Sequence, residues 1–290
     1  MRRAWMLGLV AATGITVAAA GFQGLPQPQP LAITKVKDNL FVITGGGGNT
    51  AAYLAANGVV LVDTKLPYYG QQILDQVKSV TSKPVTHIIN THTHGDHVGS
   101  NDFFPATVEI VAQENTAALM AKMKNFAEPA TKHGLPDRTF TDRLTVLSGN
   151  DAIDLYYFGP AHTGGDAFVV FRNLRVMHAG DAFPGPQAPI MDANNGGSGV
   201  AYPGTLGKAA SGIKNVEVVI PGHSDVTNWQ AFIDYGEFVK AFVSSAEASA
   251  KAGRSADEAL AAFTPAEKFK NFNMARAKAD VDLIYKEVQK

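Results

Sequence analysis

The sequence predicts a layered α/β fold, in which sheets pack against outer helices. Short runs of apolar and β-branched residues alternate with segments whose apolar residues recur at helical spacing. Each half of the chain begins with strand-like runs and ends in helix, an order that permits two packed sheets with helices outside them. The composition agrees, because 46% of the 290 residues are hydrophobic and 18% are charged, which suffices for a large core.

The first half of the chain contains strands, a hairpin and two helices. Asn57-Gly58 separates two β-rich runs and predicts a two-residue hairpin turn. Ile73, Leu74 and Val77 recur at helical spacing and predict a helix over residues 68–81. The other elements predicted here are strands at 31–36, 40–45, 85–90 and 108–112, and a helix from residue 113 to about residue 124.

The second half repeats the order of strands before helix. A Gly-rich loop is expected at residues 192–199, and helix dominates from Trp229 onward, where an apolar stripe indicates core packing. The other elements predicted here are strands at 143–147, 153–158, 166–171, 175–180 and 216–220, and a short helix at 206–213.

The N-terminus has the features of an export signal. Arg2 and Arg3 precede an apolar run that ends in small residues before Gly21. We therefore expect a signal peptide at residues 1–20, a Pro/Gln-rich linker at 21–30 and a single domain at 31–290, with an uncleaved membrane anchor as the alternative. After cleavage the chain would be periplasmic or secreted, without stable membrane insertion.

Charge and cysteine content restrict the possible partners. The formal net charge of −1 becomes −3 without Arg2 and Arg3, since 23 of the 25 Lys and Arg residues then face 26 Asp and Glu residues. This balance argues against nucleic acid as a partner, and we expect a small-molecule substrate instead. The chain has no cysteine, so disulfides and thiolate ligands are excluded and a metal would need His, Asp or Glu.

The segment "THTHGDHVGS" concentrates histidines directly after a predicted strand. His92 and His94 alternate along extended chain, so both side chains can reach one ion. A turn at Gly95 points Asp96 and His97 in other directions, which suits a second ion close by. Because protein zinc sites need three or four protein donors, further ligands must come from elsewhere in the chain.

Three later residues have the expected setting for such ligands. His162 lies in "GPAHTGGD", Asp181 in "HAGDAF" and His223 in "IPGHSD", and each follows a strand-like run beside a glycine. Strand ends that converge at one edge of a sheet are where sites form in layered α/β folds. The sequence therefore predicts that these residues join the histidine motif.

The motif and the three downstream residues, in this order, resemble the metallo-β-lactamase superfamily of metallohydrolases over nearly the whole mature chain. The resemblance implies a four-layer αββα sandwich with a dinuclear site at one edge, between the sheets. It also implies that Asp63 supports the metal-binding loop and that the tip "GGGGN" forms one wall of the site. The implied ligands are His92, His94 and His162 for the first metal, Asp96, His97 and His223 for the second, and Asp181 for both.

The resemblance implies a hydrolase with two Zn²⁺ ions, iron or manganese being possible. Two adjacent ions can share a hydroxide that attacks an acyl bond (ester, thioester, lactone or lactam), with Asp96 or Asp181 relaying a proton. Asn194 and Asn195 are candidate substrate contacts, although an Asn/Gly turn explains them equally well.

Several functions stay open at this point. The ligand set is similar to that of true β-lactamases, but Asp181 departs from their pattern and is similar to glyoxalase II-like thioesterases and acyl-homoserine lactonases. We therefore favour a broader acyl hydrolase over a dedicated β-lactamase. The alternatives are an iron-dependent oxidoreductase on the same fold, a nuclease, which the charge disfavours, and a non-catalytic metal-binding protein.

Overall fold

Two β-sheets pack face to face, and helices cover the outer face of each, in a computed structural model that describes residues 29–289. The predicted four-layer αββα sandwich is confirmed. The predicted signal segment and all but the last two residues of the predicted linker lie outside the described residues.

The first sheet has seven strands in sequential order. Its first four strands pair antiparallel and its last four pair parallel, so the carboxyl ends of the middle strands share one edge. The strands are β1 (Ala32–Lys37), β2 (Leu40–Thr44), β3 (Thr50–Leu54), β4 (Val59–Val62), β5 (Val85–Ile89), β6 (Glu109–Gln113) and β7 (Arg138–Phe140).

The second sheet has six strands, also in sequential order from one edge to the other. Strands β11 and β12 pair parallel, and the other neighbouring strands of this sheet pair antiparallel. The strands are β8 (Arg143–Val146), β9 (Ile153–Tyr156), β10 (Phe168–Phe171), β11 (Val176–Gly180), β12 (Val218–Pro221) and β13 (Thr227–Asn228).

Three apolar clusters separate the layers. Val62 and Ile89 of the first sheet meet Val169 and Ile220 of the second between the sheets. Helix residues such as Ile73 cover the outer face of the first sheet, and a larger cluster covers the second. The helices are α1 (Gly70–Val80), α2 (Gly95–Val98), α3 (Glu114–Met120), α4 (Tyr202–Gly212), α5 (Trp229–Lys251), α6 (Ala256–Ala262) and α7 (Ala277–Val288). Over residues 29–289, none of these helices combines the length and apolarity that a membrane crossing requires.

The structure departs from the predicted elements in three respects. Leu54 pairs with Val59, so the loop that contains Asn57-Gly58 has four residues, 55–58, rather than two. Helix α3 ends at Met120 instead of near residue 124, because the chain turns there and packs Phe126 against Met120. The short edge strands β7 and β13 were not predicted, since three and two residues carry too little periodicity.

Candidate metal centre

All seven residues predicted as metal ligands meet at one edge of the sandwich. The four residues of the histidine motif follow β5, and helix α2 turns the chain so that Asp96 and His97 face the second sheet. Asp181 follows β11, His223 follows β12, and His162 lies in the loop after β9. Because β11 and β12 are parallel, their carboxyl ends lie side by side at this edge.

The seven residues form two of the three groups whose candidate ligand atoms lie within 4.8 Å of one another, and the third group is Asp63 with His92 and His97. His92, His94, His162 and Asp181 make the first group, and Asp96, His97 and His223 make the second.

Asp181 lies between the two groups. Its Oδ2 is 3.2 Å from His223 Nε2 and 3.6 Å from His162 Nε2, and its Oδ1 is 3.4 Å from His97 Nε2. One carboxylate therefore contacts imidazoles of both groups, which matches the bridging position that the resemblance implies.

The outer nitrogens of two imidazoles are fixed by hydrogen-bond acceptors. His162 Nδ1 lies 2.6 Å from the Ile190 carbonyl oxygen, and His94 Nε2 lies 2.7 Å from an Asp192 carboxylate oxygen. Each of these nitrogens must carry the proton, so each neutral ring presents its other nitrogen as a lone pair. Those two nitrogens, His162 Nε2 and His94 Nδ1, face each other at 2.8 Å, an arrangement that a cation between them would stabilise.

Asp63 fixes two further imidazoles, one directly and one through Thr91. It is fully buried and accepts hydrogen bonds from His97 Nδ1 at 2.7 Å and from the Thr91 backbone and hydroxyl at 2.8 and 2.7 Å. Because the Thr91 hydroxyl proton goes to Asp63, its oxygen is left to accept from His92 Nδ1 at 3.0 Å. The Nε2 atoms of His92 and His97 thus both point into the cluster.

Two buried atoms of the cluster have no hydrogen-bond partner. His92 Nε2 and Asp181 Oδ1 are inaccessible to solvent and unpaired in the described part of the chain. Buried polar atoms without partners cost about 1–3 kcal/mol each, so these two atoms call for a partner such as a bound ion. These donors fit a metal, since each is a lone pair directed at the same small volume.

The electrostatics of the cluster call for positive charge. Burial lowers the pKa of His92 well below its ordinary value and that of His162 to about 4. Burial opposes ionisation of Asp181, yet charged His97 and neighbouring donors hold its pKa well below the usual range. Burial likewise opposes the charge on His97, but Asp181 and Asp63 raise its pKa well above the ordinary value. A proton on His97 Nε2 therefore occupies a position that a metal would take.

Glycines allow the loops to close on the cluster. A Cβ atom on Gly48, in the "GGGGN" tip, would collide with the His97 ring, and one on Gly222 would collide with Asp181 Oδ1. The Gly48 N–H also donates to the Asp96 carbonyl at 3.1 Å. The tip therefore packs directly against the histidine motif.

Asn49, at the end of the same tip, joins the two sheets. Its side-chain Nδ2 donates to the carbonyls of Pro221 and Ser224, both at 2.8 Å, and its backbone N–H donates to Gly222 at 2.7 Å. His178 Nε2 donates to the Asn49 carbonyl at 3.1 Å. These bonds hold the loop that carries His223 against the first sheet.

The cluster opens into a cavity of about 660 Å³. Asp96 and His223 are partly exposed there, each with 31% of its side-chain area accessible, whereas Asp181 retains 4%. Apolar Ile190 and Met191 form another part of the wall. The cavity has room for a small-molecule substrate beside the cluster.

The structure does not bring Asn194 and Asn195 to this cavity. They form a short turn whose backbone N–H groups donate to Asp192, and Asn195 Nδ2 donates to the same carboxylate at 2.6 Å. Asp192 itself lines the cavity and holds His94. The turn explains the asparagines, and their role in substrate binding stays a prediction.

Sequence reasoning missed three residues of the site. Asp192 opens the "DANNGG" turn, and its position as an Asx cap was the available signal. Gln187 and Arg276 also line the cavity, but neither belongs to a recognisable motif. Arg276 comes from the C-terminal helical region, far along the chain from the ligands.

Fold and cluster together define an αββα protein with a His/Asp site able to hold metal ions at the edge between its sheets. The chain belongs to the metallo-β-lactamase superfamily, whose family model matches residues 43–223.

Known proteins similar to this chain carry different names. It is 35% identical over 162 residues to 2,4-dinitroanisole O-demethylase subunit alpha of Nocardioides sp. (strain JS1661), over 54% of this chain and 48% of that one. It is 27% identical over 231 residues to metallo-β-lactamase type 2 of Elizabethkingia meningoseptica, over 75% of this chain and 87% of that one. The chain thus spans about half the length of the demethylase subunit.

A solved structure supports the fold independently. A metallo-β-lactamase from Pontibacter korlensis superimposes with a TM-score of 0.63 at 21% identity, over 72% of this chain and 99% of that one. At this identity the match establishes the architecture.

Proposed function

We propose that this protein is an exported dinuclear zinc hydrolase that cleaves an acyl bond. The observation that carries the proposal is the pair of donor groups that share Asp181, with the outer nitrogens of four imidazoles held by acceptors. Nitrogen and carboxylate donors without thiolates suit zinc, and also iron or manganese.

The residues would divide between two ions. His92, His94 and His162 would hold the first, Asp96, His97 and His223 the second, and Asp181 both. Zinc bound in this way supplies Lewis acidity toward a carbonyl oxygen and lowers the pKa of water toward neutrality.

The two aspartates proposed as catalytic differ in their surroundings. Asp181 is buried and its pKa is held low, so it stays ionised and suits a ligand. Asp96 is partly exposed to the cavity, with Oδ2 3.4 Å from His223 Nε2. It can therefore exchange a proton with water or a leaving group at that point, so we assign proton relay to Asp96.

The substrate class follows from the site and its relatives. A carbonyl placed at the cluster would undergo attack by water, and the acyl bond to oxygen, sulfur or nitrogen would break. Relatives named metallo-β-lactamases favour lactams, whereas the shared Asp181 favours esters, thioesters or lactones. We propose the latter as the main activity, with lactam hydrolysis secondary or absent.

The test is a hydrolysis screen of the zinc-loaded protein against nitrocefin, lactones, thioesters and esters. We expect turnover of lactones or thioesters to exceed that of nitrocefin, and the reverse order would overturn this choice of substrate class. His92→Ala and Asp96→Ala should each abolish turnover while circular dichroism shows a folded chain. Full activity after thorough metal removal would exclude the mechanism.

Metal content is tested separately from activity. Elemental mass spectrometry should find two zinc ions per chain in protein purified without added metal. Iron at the same stoichiometry would favour the oxidoreductase alternative instead.

A second candidate function is cleavage of an aryl methyl ether. It is favoured by the identity of 35% with a protein named as an O-demethylase subunit. Water would add at the ring carbon and the methoxy group would leave as methanol. Including 2,4-dinitroanisole in the screen tests it, with methanol release as the readout.

Export is proposed from residues 1–20. Mass spectrometry of protein recovered from the periplasm should give an N-terminus near Gly21, and an intact Met1 would exclude cleavage.

A further inference from the structure

One arginine of the described chain lines the cavity beside the cluster. Arg276 lines the same cavity as His94, Asp96 and His223, and it is exposed. Ion pairs on its helix α7 involve Lys278, with Asp257 and Asp282, and no ion pair found among residues 29–289 includes Arg276. Its guanidinium is therefore available to a ligand.

The C-terminal region is attached to the cavity wall in a way that fixes this arginine. Gln187 of the wall forms a parallel β-bridge with Asn273, and two backbone hydrogen bonds, Asn273 N–H to Pro186 and Ala188 N–H to Asn273, support it. Arg276 follows three residues later, at the start of α7. The segment before the helix is thus part of the wall.

The far end of helix α7 is attached to the same wall. Glu287 accepts hydrogen bonds from the Gly199 and Val200 backbone N–H groups at 3.2 and 2.9 Å and from the Ser198 hydroxyl at 3.0 Å. This loop leads from the turn at Asp192 toward α4. Helix α7 and the segment before it therefore contact both loops that border the cavity, and these contacts fix the backbone position of Arg276 relative to the loops.

The placement of Arg276 is not explained by helix stability. It is the N-cap residue of α7 and makes no capping bond through its side chain. A cation at a helix N-terminus opposes the helix dipole. Arg276 also lies outside residues 43–223, which the family model matches.

We infer that Arg276 anchors a negatively charged group of the substrate, so that the site takes anionic acyl compounds. This inference rests on the proposed function. Arg276 is the only Lys or Arg lining the described cavity, whereas Asp96, Asp181 and Asp192 are engaged by histidines. A carboxylate on the substrate would meet the planar guanidinium while the scissile carbonyl lies at the cluster.

Two esters of equal chain length test the inference. Mono-4-nitrophenyl glutarate carries a free carboxylate, and 4-nitrophenyl pentanoate has a methyl group in its place. For Arg276→Gln we expect KM for the glutarate ester to rise about tenfold and kcat to stay within twofold. This rise is at the lower end of the range for a charge-assisted hydrogen bond, because Arg276 is exposed. KM for the pentanoate ester should stay within twofold.

Matched variants separate anchoring from other roles. Lys286→Gln removes the same charge from an exposed position at the other end of α7 and should leave both esters unchanged. Arg276 also lowers the pKa of buried Asp280, and this structural role has to be separated from anchoring. If the effect of Arg276→Gln disappears in an Asp280→Asn background, the inference is overturned.

Binding of glutarate to the zinc-loaded protein, measured by calorimetry, distinguishes failure of the inference from failure of the proposed function. If neither ester is hydrolysed but glutarate binds wild type at least tenfold more tightly than Arg276→Gln, the hydrolase proposal fails and the anionic site stands. Equal glutarate binding by the two proteins, or none to either, overturns the inference, as does an equal change of KM for both esters.

Discussion

Asp63→Asn changes one atom of the protein and should weaken metal binding. Asp63 Oδ2 accepts hydrogen bonds from His97 Nδ1 and the Thr91 hydroxyl, each at 2.7 Å. If the asparagine oxygen keeps the bond to the Thr91 backbone N–H, its NH₂ group faces His97 Nδ1. His97 must then accept at Nδ1 and carry its proton on Nε2, the nitrogen that points at the second group of candidate ligands.

The expected loss can be worked from the bonds that change. A hydrogen bond to a charged group is worth about 1.5–3 kcal/mol, and removing the outer partner of a metal-bound histidine costs about 10–100-fold in metal affinity. These figures agree, since tenfold is about 1.4 kcal/mol. We therefore expect the affinity for zinc at the second group, which contains His97, to fall about 10- to 100-fold.

Competition titration against a chromogenic zinc chelator measures this affinity. Asp154→Asn is the control, because Asp154 is also buried but pairs with Arg172 and Thr145, away from the cluster. Its zinc affinity should match wild type wherever circular dichroism shows it folded. A zinc affinity of Asp63→Asn within twofold of wild type would refute the tautomer argument. An equal loss of zinc affinity in both variants would show that the loss reflects reduced stability alone.

Three further predictions concern close packing, pH and metal removal. Gly48→Ala should lower zinc affinity at least tenfold by displacing the His97 ring, whereas Gly204→Ala, which has open space around its Cβ, should leave it unchanged in the same titration. Burial raises the pKa of Asp280 to about 7 from 3.8, so the folded state keeps a proton that the unfolded state has lost, and stability falls as pH rises from about 4 to 7. Asp280→Asn should remove that fall, so its free energy of unfolding in urea should exceed that of wild type by roughly 2–4 kcal/mol between pH 5 and pH 8. Parallel pH profiles of stability for the two proteins would contradict the raised pKa of Asp280. Chelator treatment should lower the melting temperature by roughly 5–15 °C and added zinc should restore it; an unchanged melting temperature would argue against a resident metal.

The sequence was sufficient to place the candidate ligands because their signals are local. A histidine or aspartate directly after a strand, beside a glycine, is readable from a few neighbouring residues, as at Asp181 and His223. The alternation of strands and helices likewise predicted the layers, since each element buries one apolar face.

Long-range contacts were beyond the sequence. The helical pattern around Arg276 indicates which face is buried, but not which loop that face covers. Its position depends on the bridge between Gln187 and Asn273, a tertiary contact without a local signal. The "DANNGG" turn could be predicted, yet the direction of the Asp192 carboxylate toward His94 could not, because turn chemistry does not fix what lies opposite.

The bonds of Asn49 have a consequence for the order of assembly. Its side chain reaches carbonyls 172 and 175 residues further along the chain, so the loop with His223 cannot settle until most of the protein has been synthesised. Contacts between such distant segments form late, after local strands and helices. A partly folded chain therefore presents at most the candidate ligands of the motif after β5. These few ligands would bind an ion only weakly. Capture of the proposed metal ions would then coincide with docking of the two sheets, because the candidate ligands come from loops of both sheets.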